Sequence, residues 1–338
     1  MADAAANGWG VSLVTSSGGV RDVAAAARLA EEAGFESVWA TEFYDRSATV
    51  ALAAMANATD RIELGSAIAY AFGRTPLVLA AEARDLDELS DGRLTLGLGT
   101  GTRRMQQEWH GLDGEHPASR MEELVPLIRS LLKLDRGPID HEGRFYRLRV
   151  KPTAPVPPPL RDDLPIYMAG VNPRMIQAAG AVADGLVGHP LFTPEYVDQV
   201  ARPALARGAE RAGRANGPIP IAGYLTCSVD ADRDVARQSA AAVIAFNSTV
   251  KTYDVVHKLH GFEEEVEAIR SAWKSGDFGG MAAAVSDRMI DTVVLAGTAD
   301  EVRERYEERW RGVYERTLLW PPAFRGTEAV EAVIDAFR

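Results

Sequence analysis

The chain has 338 residues, 46% of them hydrophobic and 25% charged, a composition that fits a globular protein with a large buried core. A net charge of -11 argues against nucleic-acid partners, whose phosphates need clustered Lys and Arg, although one or two local arginines suffice for a small anion. No uncharged apolar run reaches the length of a membrane span, and the start MADAAANGWG lacks the basic and apolar parts of a signal peptide. A cytoplasmic protein with no membrane partner is therefore expected.

Strand-like and helix-like runs alternate along the chain, the pattern of a parallel α/β fold. The first strand is expected over residues 9–14. In the following helix Val23, Ala26, Ala27, Ala30 and Ala33 share a face, and Gly34 is placed to end it. Strands follow at 37–41 and 61–68, separated by an Ala-rich run at 47–58. A helix at 76–89 opens with Pro76, whose missing N–H costs nothing in a first turn. It leads through Ser90-Asp-Gly-Arg93 into RLTLGLGTGTR, residues 93–103.

Closely spaced glycines after a strand suggest a phosphate-binding turn. The dinucleotide fingerprint, however, needs Gly-x-Gly-x-x-Gly at the start of a helix. Gly97 and Gly99 fit, but Thr102 occupies the third position and the next residues read as a loop or short helix. These glycines are better assigned to a strand end where backbone approaches a ligand.

Met121, Leu124, Ile128 and Leu131 form one stripe of a helix at 117–134, which Pro126 should bend or delay. A first insertion, at about 137–163, combines a short hairpin with a proline-rich connection. Strands at 164–169, 185–187, 219–226 and 316–320 then alternate with helices at 172–180, 194–212, 233–250 and 298–311. A second, mostly helical insertion spans about 251–297. Cys227, the one cysteine, lies in an apolar strand and reads as a core residue. Eight βα units over this length predict a single domain, 1–338, folded as an α/β (β/α)8 TIM barrel with insertions. Ligand groups of a barrel sit at the C-terminal ends of its strands. Here those ends are Thr41-Glu42, Ser66–Ile68, Gly99–Gly101, Gly170–Asn172, Gly188-His189 and Cys227-Ser228, small or polar residues that leave room for a flat ligand.

The run RIELGSAIAYAFGRTPLVLAAEARDLDELSDGRLTLGLGTG and the later YMAGVNPRMIQAAGAVADGLVGHPLF resemble the luciferase-like monooxygenase superfamily, closest to its coenzyme F420-dependent oxidoreductase branch. The resemblance implies coenzyme F420 as cofactor, with FMN as the alternative, and a small organic molecule as substrate. It places the flavin-like ring against a bulge at Ser66, Ala67 and Ile68, where relatives often have a non-prolyl cis peptide matching Ala67–Ile68. It places the phosphate arm at Gly99, Thr100 and Gly101 and at Ala169, Gly170, Val171 and Asn172, with Arg103 and Arg104 suited to an acidic tail. Relatives often carry Asp-His where this chain has Thr41-Glu42. Thr41 would then border the cofactor. Glu42 becomes either a proton donor or an ion-pair partner of Arg46 or Arg74, and His189 a second catalytic candidate. Tyr253, His257 and Trp273 could line a lid over the pocket, with a helix packed on the barrel rim as the simpler reading. His257 and His260 share a face but have no third ligand, so no metal is expected. The implied activity is hydride transfer in a homodimeric enzyme. An FMN-dependent monooxygenase is the rival reading, and a non-catalytic flavin-binding barrel is a third, kept open by the missing Asp-His pair.

Overall fold

A computed structural model describes residues 8–13, 18–214 and 217–338. Val14, placed in the first strand above, lies outside them. The described residues form twelve strands: β1 (Trp9–Leu13), β2 (Ser37–Ala40), β3 (Glu63–Ser66), β4 (Ala69–Tyr70), β5 (Leu94–Gly99), β6 (Ile139–Glu142), β7 (Arg147–Val150), β8 (Ile166–Ala169), β9 (Gly185–Val187), β10 (Ile221–Val229), β11 (Leu295–Gly297) and β12 (Arg316–Trp320). Parallel pairing runs β1-β2-β3-β5-β8-β9-β10-β12 and returns from β12 to β1, which closes an eight-stranded barrel. Helices follow the strands and cover the barrel, as the alternation predicts.

Burial divides into two layers. Outward residues such as Val38, Leu64, Ile166, Leu225 and Cys227 pack beneath the helices. A smaller inner cluster of Trp39, Ala67, Val187, Ala222, Tyr224 and Leu318 fills the barrel. Alternation along β10 carries this inward face from Ala222 and Tyr224 on to Thr226 and Ser228.

Several elements depart from the sequence reading. The helix Pro117–Leu132 starts at its proline and runs on through Pro126. The 251–297 insertion ends in β11, which extends β10 beyond the barrel with Cys227 opposite Leu295. A helix at Gly326–Ala336, not anticipated, packs against the first helix and β10. The strand expected over 61–68 is shorter, ending as β3 at Ser66, and the Ala67–Ile68 peptide between β3 and β4 is cis, as the resemblance implied.

The break between β3 and β4 explains the glycines of β5. β3 pairs with β5 only through Leu64 and Gly65; Ser66 Oγ then takes over, donating to the Gly97 carbonyl (2.8 Å) and accepting from its N–H (2.9 Å). A Cβ on Gly97 would stand 1.8 Å from the Ser66 carbonyl oxygen, and one on Gly99 would stand 2.7 Å from the Ile68 side chain. The side-chain space left at these two glycines is filled by the protein's own bulge. Gly97→Ala should therefore cost about 2 kcal/mol or more in urea unfolding, because the opposing atom is backbone and cannot turn aside. A variant as stable as wild type would contradict this packing.

Candidate active site

The C-terminal mouth of the barrel is organised around the bulge between β3 and β4. The Ala67 N–H donates to the Ala40 carbonyl (2.8 Å), and the Glu42 N–H to the Ile68 carbonyl (2.9 Å). The Ala67 carbonyl accepts the Thr41 hydroxyl at 2.8 Å and also the Tyr224 hydroxyl. Tyr224 Oη in turn lies 2.8 Å from Thr41 Oγ1 and accepts from Ser12 Oγ at 2.5 Å. Burial pushes the Tyr224 phenol up to about 12, against the opposing effect of its Ser12 and Thr41 bonds. It is therefore a neutral donor at ordinary pH. Ser12 and Tyr224 were absent from the sequence-based candidates. Their only signal was a polar residue at an inward strand position, which has meaning once the strand register is known.

Glu42 anchors the other side of the bulge. Its carboxylate receives Arg74 through both oxygens, at 2.6 and 2.9 Å, and also accepts the Tyr70 N–H at 2.7 Å. The Glu42 side chain is 8% exposed, and Arg74 extends the pair to Glu82 at 2.9 Å. The hydrogen bond to Glu42 is the chief cause that raises the Arg74 pKa above its ordinary value. Of the two partners the sequence offered, Arg74 is the one used; Arg46 lies beside Asp45. This is the arrangement of an ionised carboxylate that holds β4 in place.

The remaining expected positions divide between the mouth and its framework. Ser66 Oγ is committed to Gly97, and Thr100 Oγ1 to the Gly101 carbonyl (2.9 Å). Ile68 and Ala169 are half-buried beside the inner cluster. Gly101 turns the chain with φ 64° toward the helix Arg103–His110, which Thr102 caps. Gly170 leads to Asn172, whose carbonyl starts the helix Pro173–Val182 by accepting from Met175 and Ile176 (2.9 and 3.1 Å). The Val171 carbonyl accepts the Tyr196 hydroxyl at 2.5 Å. Two helix N-termini thus begin at the ends of β5 and β8, where backbone amides favour an anion. Arg103 pairs with Glu115 and Arg104 with Glu108 on the exposed side of their helix.

Inside the mouth, Thr226 Oγ1, Ser228 Oγ and Trp320 Nε1 are buried without a partner among the described residues. Thr226 and Trp320 are neighbours in register. Buried polar atoms are normally satisfied, so this uncharged wall suits a ligand that supplies hydrogen-bonding edges.

His189 follows β9, and the Tyr253 ring packs on it with centroids 3.9 Å apart. His189 Nδ1 accepts the Leu191 N–H at 3.2 Å, which leaves the proton of the neutral ring on Nε2. Burial, with a contribution from His257, lowers the His189 pKa to about 3. His257 is 2% exposed and neither ring nitrogen has a partner among the described residues; burial lowers its pKa to about 4. Trp273 does not join this group: it is 43% exposed and packs on Phe278. His260 bonds Thr193 at 2.8 Å, and among the described residues no three potential ligands cluster for a metal.

The lowered His257 pKa fixes the sign of one pH effect. An unfolded chain protonates this ring below about 6.5, whereas the folded protein resists until about 4, so stability is present above 6.5 and lost as pH falls toward 4. His257→Leu should remove part of that acid loss, on the order of 2–3 kcal/mol, as read from urea unfolding at stepped pH. An unchanged pH profile would show that His257 does not titrate in this way.

A profile of the luciferase-like monooxygenase family matches residues 6–315. An uncharacterized protein of Mycobacterium tuberculosis is 32% identical over 322 residues, covering 93% of each chain. A 5,10-methylenetetrahydromethanopterin reductase of Archaeoglobus fulgidus is 31% identical over 287 residues, covering 83% of each. Among solved structures, the coenzyme F420-dependent tetrahydromethanopterin reductase of Methanopyrus kandleri aligns with TM-score 0.82 and 29% identity over 98% of both chains. With a barrel of the same order and a match along most of its length, the chain belongs to the luciferase-like monooxygenase family.

Proposed function

We propose that the protein is a coenzyme F420-dependent oxidoreductase that transfers a hydride between the deazaflavin and a small organic substrate. The observation that carries this reading is the hydrogen-bonded bulge at Ala67–Ile68, facing a barrel interior of Trp39, Tyr224 and Trp320. The likeness to the F420-dependent reductase of Methanopyrus kandleri supports F420 over FMN. Bound F420 supplies the two-electron carrier. The residues that would hold it are Ser66, Ala67 and Ile68 as a ring platform bordered by Thr41. Thr226 and Trp320 would offer polar groups to it, and the strand ends 99–101 and 169–172 would receive the phosphate.

The whole chain acts as one domain in this reading, with both insertions as parts of the barrel. A homodimer would cover exposed apolar side chains such as Tyr44 and Trp109, which pack on each other, since apolar surface of this kind marks association. Among the described residues no helix is long and apolar enough to cross a membrane.

Glu42 is a positioning residue in this scheme: its charge is held by Arg74, and its contact with the Tyr70 amide fixes the platform. His189 keeps a neutral Nε2–H at the mouth and serves as a hydrogen-bond donor to the reacting substrate.

F420 should quench protein fluorescence at lower concentration than FMN in parallel titrations; equal or stronger FMN binding, or oxygen-dependent product formation with reduced FMN, would favour the monooxygenase reading. Glu42→Gln should lower stability by roughly 3 kcal/mol, as losing one partner of a buried pair does, and weaken F420 binding. Its turnover at saturating cofactor should stay within a few-fold of wild type. Turnover about 100-fold slower with unchanged F420 affinity would instead make Glu42 the proton donor.

A further inference from the structure

The insertion does more than decorate the barrel. Its first part, residues 251–260, lies across one side of the mouth and is tied down at both ends. Asn172 Nδ2 at the end of β8 donates to the Thr252 carbonyl at 3.3 Å, and His260 Nε2 meets Thr193 Oγ1, beyond β9, at 2.8 Å. Between these ties, Tyr253 covers His189, and His257 follows one helical turn later on the same face. Lys251 and Lys258, by contrast, are exposed.

His257 is the unusual member. A histidine that only fills a helix interface generally bonds a carbonyl, carboxylate or water through at least one nitrogen. Here Nδ1 and Nε2 are both buried and both without a partner among the described residues. The nearby arginines are already committed. Arg270 pairs with Asp254 at 2.5 Å, Arg309 with Glu195 at 2.8 Å, and Arg288 bonds the His260 and Gly261 carbonyls at 3.0 and 2.9 Å. On the barrel side, Arg74 is held by Glu42 and Glu82. Burial keeps His189 and His257 neutral, so the segment and the barrel edge it covers offer uncharged donors and acceptors. An anion moved there would lose its water without gaining a counter-charge, whereas a carbonyl or imine would lose little and gain a hydrogen bond.

We propose that residues 251–260 form the substrate-specificity lid of this site, and that His257 hydrogen-bonds the electrophilic end of an uncharged substrate, such as a conjugated ketone or imine, in preference to a carboxylated or phosphorylated one. The assignment rests on the oxidoreductase reading above and adds the substrate class to it. His257 is a specificity-determining residue here. With its ring covered in the closed position, substrate entry requires the lid to lift and then settle over the ligand.

The test uses a matched pair of probes, 2-cyclohexen-1-one and its anionic 3-carboxylate, on full-length protein labelled with 15N-histidine. The His257 ring signals are assigned by their loss in His257→Gln, and each probe is titrated with and without F420. Cyclohexenone should shift the His257 nitrogens, and the carboxylate at the same concentration should not. His257→Leu should raise the cyclohexenone dissociation constant at least ten-fold while the F420 dissociation constant stays within two-fold. His257→Gln, which retains a donor and an acceptor, should recover most of the loss. No His257 response to cyclohexenone, an equal or stronger response to the carboxylate, or an unchanged dissociation constant in the leucine variant would each overturn the proposal. Failure of wild type to bind F420 would sink the cofactor reading alone, because the histidine response is also read without cofactor.

Discussion

The Ala67 carbonyl oxygen is the point on which the mouth of this barrel depends. It accepts hydroxyls from Thr41 and Tyr224, which belong to strands on different sides of the barrel, and Tyr224 is itself fixed by Ser12 of β1. A strand that leaves its ladder exposes backbone groups that would be costly to bury unpaired. Several of these groups at the bulge find a partner at a neighbouring strand end: the Ala40 carbonyl, the Glu42 amide and carboxylate, and the Ser66 hydroxyl acting on Gly97. The glycines of β5 belong to the same construction, because the bulge needs the volume their side chains would have taken.

Charge is managed by confinement. The Glu42–Arg74–Glu82 group lies at the rim, where a carboxylate can brace β4 through the Tyr70 amide without leaving an unpaired charge inside. The groups that face the interior are hydroxyls, an indole and, at the edge, histidines held neutral by burial. Such a cavity favours hydride chemistry on neutral groups, since a low dielectric penalises stray ions and strengthens each hydrogen bond that is made.

The second insertion connects this framework to selectivity. It begins where β10's helix ends, crosses to β8 and β9 through Asn172 and Thr193, and returns to the barrel edge as β11. Binding groups on such an element can change between relatives without disturbing the strands, because few of their contacts serve the barrel core.

Much was determined by the sequence alone. Alternating strand and helix patterns specified the barrel, and the runs at 61–101 and 167–192 carried the family resemblance together with the site of the cis peptide. Helix boundaries at Pro76, Thr298 and Gly34 were legible because capping and chain reversal are local effects. Tertiary structure decided everything that needed two distant segments at once. It chose Arg74 over Arg46 for Glu42, brought Tyr224 to Ala67 across 157 residues, and gave the space at Gly97 and Gly99 to the bulge. β11 and the unpartnered His257 were likewise invisible, since a three-residue strand has no period to read and a missing hydrogen bond is a property of surroundings. Local propensity acts over a few residues, whereas the partner of a buried polar atom is set by which strand ends the closed barrel brings together.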